Sequence, residues 1–398
     1  MNLDLREKKN WKVKIELSRS KSIMIRYLIF YYLKNKTILP IREDDADDIK
    51  IVHDNLVIID DNRDKNDPDP VVIDVRDCGA GYRFLLSVLA VTEGNWFLTG
   101  FERLLRRPID NLIATLQGCG ASIKKEEKGI LIRGKKCSAE SVQIDCTHSS
   151  QFASSLLLIS EVIGLKELKI IPEKPASAGY IAMTGKVMED VNSHNCHIPL
   201  PEIERDWSSA AFWYALVALC EGAVCELPGL RKESLQGDCK IADIFDSLKV
   251  ITTETAEGIV IRQDADSKRD KISKLTLDLS KNPDLTPILS VVGILLQIEL
   301  DLTGLQNLNY KESRRLEMLE KALSPFATIT IIDNKSLYIR EIKECRNQDL
   351  CFESFQDHRF VMAFALFATK NRVMIQNTEV VSKSYPNFFQ DINKIVCC

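Results

Sequence analysis

The stretch S-R-S-K-S-I-M-I-R-Y-L, residues 18–28, sets two cations against a helix that has no polar face to receive them. Ile23 to Leu33 is apolar on every side apart from Arg26, the pattern of a fully buried helix. Ser20 fits its N-cap, which puts Lys21 and Ser22 in the first turn, where the helix dipole disfavours positive charge by about 0.3–1 kcal/mol. Arg26 lies one turn further on, on the face of Ser22. An unpaired guanidinium is too costly to bury, so an anion is expected to meet it. Two sources fit: an internal Asp or Glu, or a bound phosphate or carboxylate held at the helix N-terminus.

Such a helix needs a core to enter. The chain has 398 residues, 45% of them apolar and 28% charged, enough for two or three domains. A net charge of −4 offers no basic stripe, so neither nucleic acid nor a membrane surface is expected as a partner. The N-terminal MNLDLREKKNWKV has no apolar h-region, and the greasiest stretch, Pro287 to Leu302, is broken by Gly293, Gln297, Glu299 and Asp301. A soluble, cytoplasmic protein is expected. Twelve cysteines without a C-x-x-C pair read as reduced thiols rather than a disulfide frame or zinc site, with Cys397 and Cys398 as tail. Residues 60–70, DDNRDKNDPDP, read as a charged loop remote from any site. There is no metal cluster or Walker loop, and G-C-G at 118–120 is too short for a dinucleotide fingerprint, so no cofactor is expected.

The opening pattern recurs. A small or polar helix start, about a dozen mostly apolar residues and a β-like segment are found near Ser20, Gly79, Ser149, Ser208, Asp284 and Asp357. Examples are SSAAFWYALVAL then AVCELPG, and DLTPILSVVGIL then IELDLTG. Most units continue into a more amphipathic helix, as in PIDNLIATLQGCG or ESRRLEMLEKAL, and return to a strand, as in GASIK or FATITII. Six helix-strand-helix-strand units imply an α/β (α+β) fold of two similar lobes, three units each, with buried helices and outer sheets. The boundary falls around Leu200 to Asp206.

With these motifs assembled, the chain resembles the enolpyruvyl transferase family, and within it EPSP synthase, from Lys14 to near Ile395. The motifs, in family order, are S-K-S-x-x-x-R at Ser20 to Arg26, G-x-x-x-R at Gly79 to Arg83, R-P-I at Arg107 to Ile109, S-S-Q-F at Ser149 to Phe152 and S-x-x-Y-I at Ser177 to Ile181. They continue with D-x-S-S-A at Asp206 to Ala210, S-x-Q-G-D at Ser234 to Asp238, P-D at Pro283 to Asp284 and N-x-x-x-K-E-x-x-R at Asn307 to Arg315. D-H-R at Asp357 to Arg359 and S-K-S-Y-P at Ser382 to Pro386 complete the series. Any one could arise by chance, but not all eleven in this order.

The resemblance implies lobes at residues 19–204, the shikimate 3-phosphate side, and at 1–18 with 205–398, which carries phosphoenolpyruvate and catalytic residues. It implies transfer of the enolpyruvyl group of phosphoenolpyruvate to the 5-hydroxyl of shikimate 3-phosphate, with release of phosphate, by a monomer. By the same carry-over, Lys21, Ser22 and Arg26 contact shikimate 3-phosphate, Ser149, Ser150 and Ser177 hold its phosphate, Tyr180 supports that pocket, and Gln151 lies between the substrates. Gly79, Arg107, Arg315, Arg359 and Lys383 match phosphoenolpyruvate-binding positions, and Asn307 and Lys311 further shikimate contacts. Asp284 matches the base for the 5-hydroxyl proton and Glu312 the acid for the methylene carbon, with Lys21 sharing proton traffic. The two substrates together carry roughly −5 to −6, which the motif cations, Arg83 among them, are expected to meet.

Taken singly, each of these residues has a plainer reading. A lone Lys or Arg is usually solvated or internally paired, and Asp206, Asp238, Asp284 and Asp357 all sit where helix caps belong. Lys311 and Arg315, at i,i+4, read as sharing a helix face, a mild repulsion that an anion relieves. The chain also departs from the family pattern: Arg19 stands in place of glycine, Arg314 in place of an acid, and Asp77 to Tyr82 in place of N-A-G-T-A-M. Asp77 is expected to bring a negative charge close to phosphoenolpyruvate. An enolpyruvyl transferase acting on UDP-N-acetylglucosamine would want K-N and a reactive loop cysteine where this chain has Lys21-Ser22 and S-S-Q. An inactive scaffold of the same fold is disfavoured by intact Asp284 and Glu312.

Overall fold

Each repeat folds around a helix buried on all sides, in a computed structural model that describes residues 1–63, 65, 68–193, 202–264 and 272–396. The chain divides into two compact units, Met1–Ser20 with Glu204–Cys398, and Lys21–Ile203. In the first of these, helix Thr286–Leu296 packs on both Trp207–Leu219 and His358–Ala365 as the centre of the core. In the second, Lys21–Asn35, Gly79–Val91 and Gln151–Leu158 pack on one another, joined by Gly179–Ser193. Helix Trp207–Leu219 is buried at every position but Ser208 and Leu219, which is what an all-apolar helix requires.

Three four-stranded sheets share one order. Val71–Asp74 runs parallel to Gly94–Thr99, which pairs antiparallel with Gly129–Gly134, itself antiparallel to Ser122–Glu126. Lys274–Asp278, Glu299–Thr303, Ser336–Arg340 and Thr328–Ile332 repeat this arrangement, as do Lys12–Lys14, Val224–Pro228, Gly258–Gln263 and Val250–Glu254. Two parallel strands cannot be joined by a tight turn: the buried helices Gly79–Val91 and Thr286–Leu296 are the crossovers in the first two sheets, whereas in the third the whole of Lys21–Ile203 also lies between the parallel strands. The strands alternate in burial, with Leu300 and Leu302 on the inner face of Glu299–Thr303, so each sheet covers the core with one side only. Asn2–Asp4 pairs with Arg372–Gln376, beside Asp349–Glu353, and Ser141–Asp145 pairs with Glu167–Ile171.

The structure corrects the repeat in two respects. Strands Val71–Asp74, Ser141–Asp145, Lys274–Asp278 and Asp349–Glu353 precede their helices, so the unit starts one strand earlier than the apolar helices suggest. The unit near Ser20 has no strand after its helix: Lys21–Asn35 passes directly through residues 36–46 to helix Asp47–Asn62. That link contains Pro40 and an acidic run, Glu43 to Asp45, neither of which suits a paired strand. The charged loop is shorter than expected, since the helix continues to Asn62; Asp64, Asn66 and Asp67 lie outside the described residues. So do Cys196, Leu200, Cys397 and Cys398, and the described cysteines are all free. No described helix is long and apolar enough to cross a membrane.

Asp206 is the N-cap of Trp207–Leu219, its Oδ1 accepting from the Ser209 amide at 2.7 Å and the Ser209 hydroxyl at 2.9 Å. Asp206→Ala should therefore lower stability by about 1–2 kcal/mol in denaturant titration, whereas Asp206→Asn should retain most of it.

Candidate active site

In the Lys21–Ile203 unit the buried arginine of the first motif meets neutral groups rather than a carboxylate. Arg26 is buried, with Nε donating to Thr184 Oγ1 at 2.7 Å, Nη1 to the Ser22 carbonyl at 2.7 Å, and Nη2 to the Tyr180 carbonyl at 3.3 Å and Ser154 Oγ at 3.4 Å. Its guanidinium also lies 5.2 Å from the Phe84 ring centre and 5.7 Å from that of Tyr180. Every one of these partners is neutral, and burial pulls the Arg26 pKa down to about 10. Lys21 differs: Nζ sits 2.9 Å from Asp48, a buried acid on helix Asp47–Asn62.

Helix Gly79–Val91 brings a second pair of arginines to its N-terminus. Cys78 caps it through sulfur, Sγ accepting from the Gly81 amide at 3.2 Å while lying 3.8 Å from the Asp48 carbonyl. Arg83 Nη1 donates to the Gly79 carbonyl at 3.0 Å and to Gln151 Oε1 at 3.1 Å, and Nη2 to the Pro108 carbonyl at 3.3 Å. The Arg107 guanidinium makes no hydrogen bond or ion pair among the described residues, and its Nε is buried without an acceptor. It lies against Gly79, where a methyl group would stand 2.6 Å from Arg107 Nη1 and 3.2 Å from Arg83 Nη1. Ser149, Ser150 and Gln151 form the start of helix Gln151–Leu158, the Gln151 amide donating to Ser149 Oγ at 3.3 Å. Ser177 is buried at φ 62° with a hydroxyl that has no partner among the described residues.

In the other unit the charges cancel. Arg315 is 1% exposed and bonds three acids: Asp284 Oδ1 at 2.6 Å, Glu312 Oε2 at 2.6 Å and Asp357 Oδ2 at 2.7 Å. Arg359 Nη2 lies 3.2 Å from Asp284 Oδ2 and donates to Ser208 Oγ at 3.2 Å, and its Nη1 is 3.9 Å from Asp238 Oδ2. Lys311 Nζ is 3.4 Å from Asp284 and Lys383 Nζ 3.9 Å from Glu312. Burial favours a protonated Asp284, but the charges of Arg359, Lys311 and Arg315 prevail and hold its carboxyl well below the usual range. Asp238 goes the other way: burial outweighs the Arg359 charge and pushes it up to about 6. Asn307 is buried at the start of the turn Leu308–Tyr310.

The sequence-derived residues thus form connected groups within each unit, with three corrections. Lys311 and Glu312 are not helical. Lys311 has φ −83° and ψ −155°, and the helix begins only at Arg315, so both residues reach the site from a loop rather than along a helix face. Lys311, Arg315, Arg359 and Lys383 are not free to meet substrate charge alone, because Asp238, Asp284, Glu312 and Asp357 already face them. Asp77 does not stand alone either, being ion-paired with Arg103. Asp357 is a helix cap as well as an Arg315 partner, its Oδ1 accepting from the Arg359 amide at 3.0 Å. Asp48, Thr184, Ser154 and Arg103 belong to none of the motifs in the sequence. Asp48 is one acid among several in Glu43 to Asp48, and nothing in the spacing distinguishes it. No group of His, Cys, Asp or Glu suited to a metal is found among the described residues.

Comparison with known proteins gives the family. The family described as EPSP synthase (3-phosphoshikimate 1-carboxyvinyltransferase) matches residues 46–392. A 3-phosphoshikimate 1-carboxyvinyltransferase of Bacteroides fragilis is 32% identical over 405 residues, covering 96% of this chain and 95% of the relative. One from Pyrococcus abyssi is 31% identical, covering 82% and 80%. The fold is similar to that of EPSP synthase from Acinetobacter baumannii, with a TM-score of 0.70 at 18% identity over 99% and 97% of the two chains. It is also similar to the enolpyruvyl transferase NikO from Streptomyces tendae, with a TM-score of 0.67 at 13% identity over 99% and 97%.

Two outcomes follow from the geometry. Gly79→Ala should displace the Arg107 guanidinium and weaken phosphate binding by about tenfold in calorimetry, with the unfolding midpoint unchanged, since only the end of a flexible side chain has to move. Asp238 has a native pKa near 6 against an ordinary 3.8, so its contribution to stability is full below about pH 4 and is lost as pH rises through 6. Asp238→Asn should therefore be more stable than the parent by on the order of 2–3 kcal/mol at pH 7.5, and this gain should vanish towards pH 4 in pH-dependent denaturant unfolding.

Proposed function

We propose, from the premise that this chain belongs to the EPSP synthase family, that it transfers the enolpyruvyl group of phosphoenolpyruvate to the 5-hydroxyl of shikimate 3-phosphate and releases phosphate. The observation that carries the reading is Arg107. A guanidinium with no bond to any described residue, set against a glycine that leaves its face open, is a receptor for a carboxylate or phosphate. Arg26, satisfied only by neutral oxygens, and the unpartnered Ser177 hydroxyl support a second anion, the shikimate phosphate, with Lys21, Ser22, Ser149, Ser150, Gln151 and Tyr180 around it. We take the enzyme to act as a cytoplasmic monomer on these two small anions. Residues 19–204 would serve mainly shikimate 3-phosphate, and 1–18 with 205–398 would supply the proton-transfer groups.

Those groups are restrained by ion pairs. Asp284, the proposed base, is a poor proton acceptor while Arg315, Arg359 and Lys311 hold it. Glu312, the proposed acid, is held by Arg315 and Lys383. Substrate anions that compete for Arg315, Arg359 and Lys383 would loosen both carboxylates. Asp284 would then accept the 5-hydroxyl proton as the oxygen attacks C2 of phosphoenolpyruvate, while Glu312 delivers a proton to the methylene carbon. Return of that proton and loss of phosphate would complete the exchange. Lys311 stands beside Asp284, with Asn307 buried four residues before it.

Phosphate release from phosphoenolpyruvate should depend on shikimate 3-phosphate. Glu312→Gln should lower turnover by roughly 10²- to 10⁴-fold with substrate binding largely retained. In D₂O the parent should wash deuterium into the phosphoenolpyruvate methylene, and the variant should lose that exchange in parallel. A folded Glu312→Gln protein with normal turnover and exchange would exclude Glu312 as the acid and leave Lys21 as the next candidate.

A further inference from the structure

We infer that the Asp77–Arg103 ion pair is a charge mask that keeps the Asp77 carboxylate off Arg107 and so sets the affinity for phosphoenolpyruvate, an inference that rests on the reaction assigned above. Asp77 lies two residues before Gly79, so their Cα atoms are no more than about 7 Å apart. Gly79 in turn touches Arg107, with only 2.6 Å between its methyl position and Nη1. A carboxylate is thus tethered two residues from the glycine against which an arginine with no partner of its own among the described residues lies. Left alone it would pair with Arg107 and compete with any anionic ligand for the same fork of donors.

Arg103 prevents this by donating from Nη2 to Asp77 Oδ2. It stands on the short helix Glu102–Leu105, four residues before Arg107. The backbone holds the two segments together just ahead of the pair: Val75 N donates to the Thr99 carbonyl at 3.0 Å, and Phe101 N to the Arg76 carbonyl at 2.5 Å. Gly100 permits that approach, since a Cβ there would meet the Arg76 carbonyl at 2.5 Å. The pair is partly exposed, with side chains 31% and 18% accessible, and a pair so wetted adds little to stability. Its position, two residues before Gly79 in one segment and four before Arg107 in the other, is what gives it a use. The family segment has asparagine where this chain has Asp77, and Arg103 is the charge that makes the acid tolerable.

The test is a cycle of three variants in steady-state turnover with both substrates. Arg103→Gln should raise the KM for phosphoenolpyruvate by about tenfold or more, with kcat and the KM for shikimate 3-phosphate changed by less than about twofold. Asp77→Asn, which removes the carboxylate itself, should leave the KM within about twofold of the parent, and the double variant should return to that level. A pair that merely latches two segments would make Asp77→Asn as damaging as Arg103→Gln and the double variant no better; that result, or an Arg103→Gln enzyme with an unchanged KM, overturns the inference alone. A parent chain that transfers no enolpyruvyl group overturns the assigned reaction and this inference with it.

Discussion

One buried guanidinium organises the Glu204–Cys398 region. Arg315 binds acids from three separate segments: Asp284 in the turn Pro283–Leu285, Glu312 in the loop ahead of its own helix, and Asp357 at the cap of His358–Ala365. Burial alone would disfavour its charge, yet the combined field of Asp357, Glu312 and Asp284 raises its pKa further. Removing any one acid would leave buried charge uncompensated, a loss of several kcal/mol in comparable buried pairs. The three segments are thereby held at fixed distances, and the proposed base and acid share one counter-charge.

The two units solve the same problem in different ways. Around Arg315 and Arg359, cations are matched by carboxylates, so the cluster is close to neutral without substrate. Around Arg26 and Arg107, the donors go to hydroxyls, carbonyls and aromatic faces, or to nothing among the described residues. Neutral oxygens satisfy donor geometry but leave net positive charge, and that charge is what attracts an anion. Carboxylate partners add a second property, because in the proposed reaction a substrate anion would have to displace them and would in doing so free the proposed proton-transfer groups.

The same distinction explains Asp77. A negative charge beside an unsaturated arginine is damaging only if it is free to reach it, and Arg103 settles which cation it takes. Asp238 is the counterpart in the other unit: an acid so buried that its carboxyl titrates near 6, steadied by the Ser208 hydroxyl and Arg359.

Much of this was legible in the chain itself. Six apolar helix starts at regular separation specified the repeat because a helix apolar on every face has nowhere to go but a core. Ordered motifs specified the family because they combine residue types that chemistry on two phosphorylated acids demands. Boundaries were less legible: the strand before each helix carries too few residues to show a period of its own, and E-S-R-R reads as helix although Lys311 and Glu312 lie in a loop. Pairing was not legible at all. That Lys21 takes Asp48 rather than another acid of Glu43 to Asp48, that Arg103 takes Asp77, and that Arg107 takes none among the described residues depends on which side chains packing brings within 4 Å. Sequence determined which residues carry charge and which segments are buried; the tertiary structure alone decided which charges meet, because ion pairing is set by distance and desolvation, and neither is a property of a residue's place in the chain.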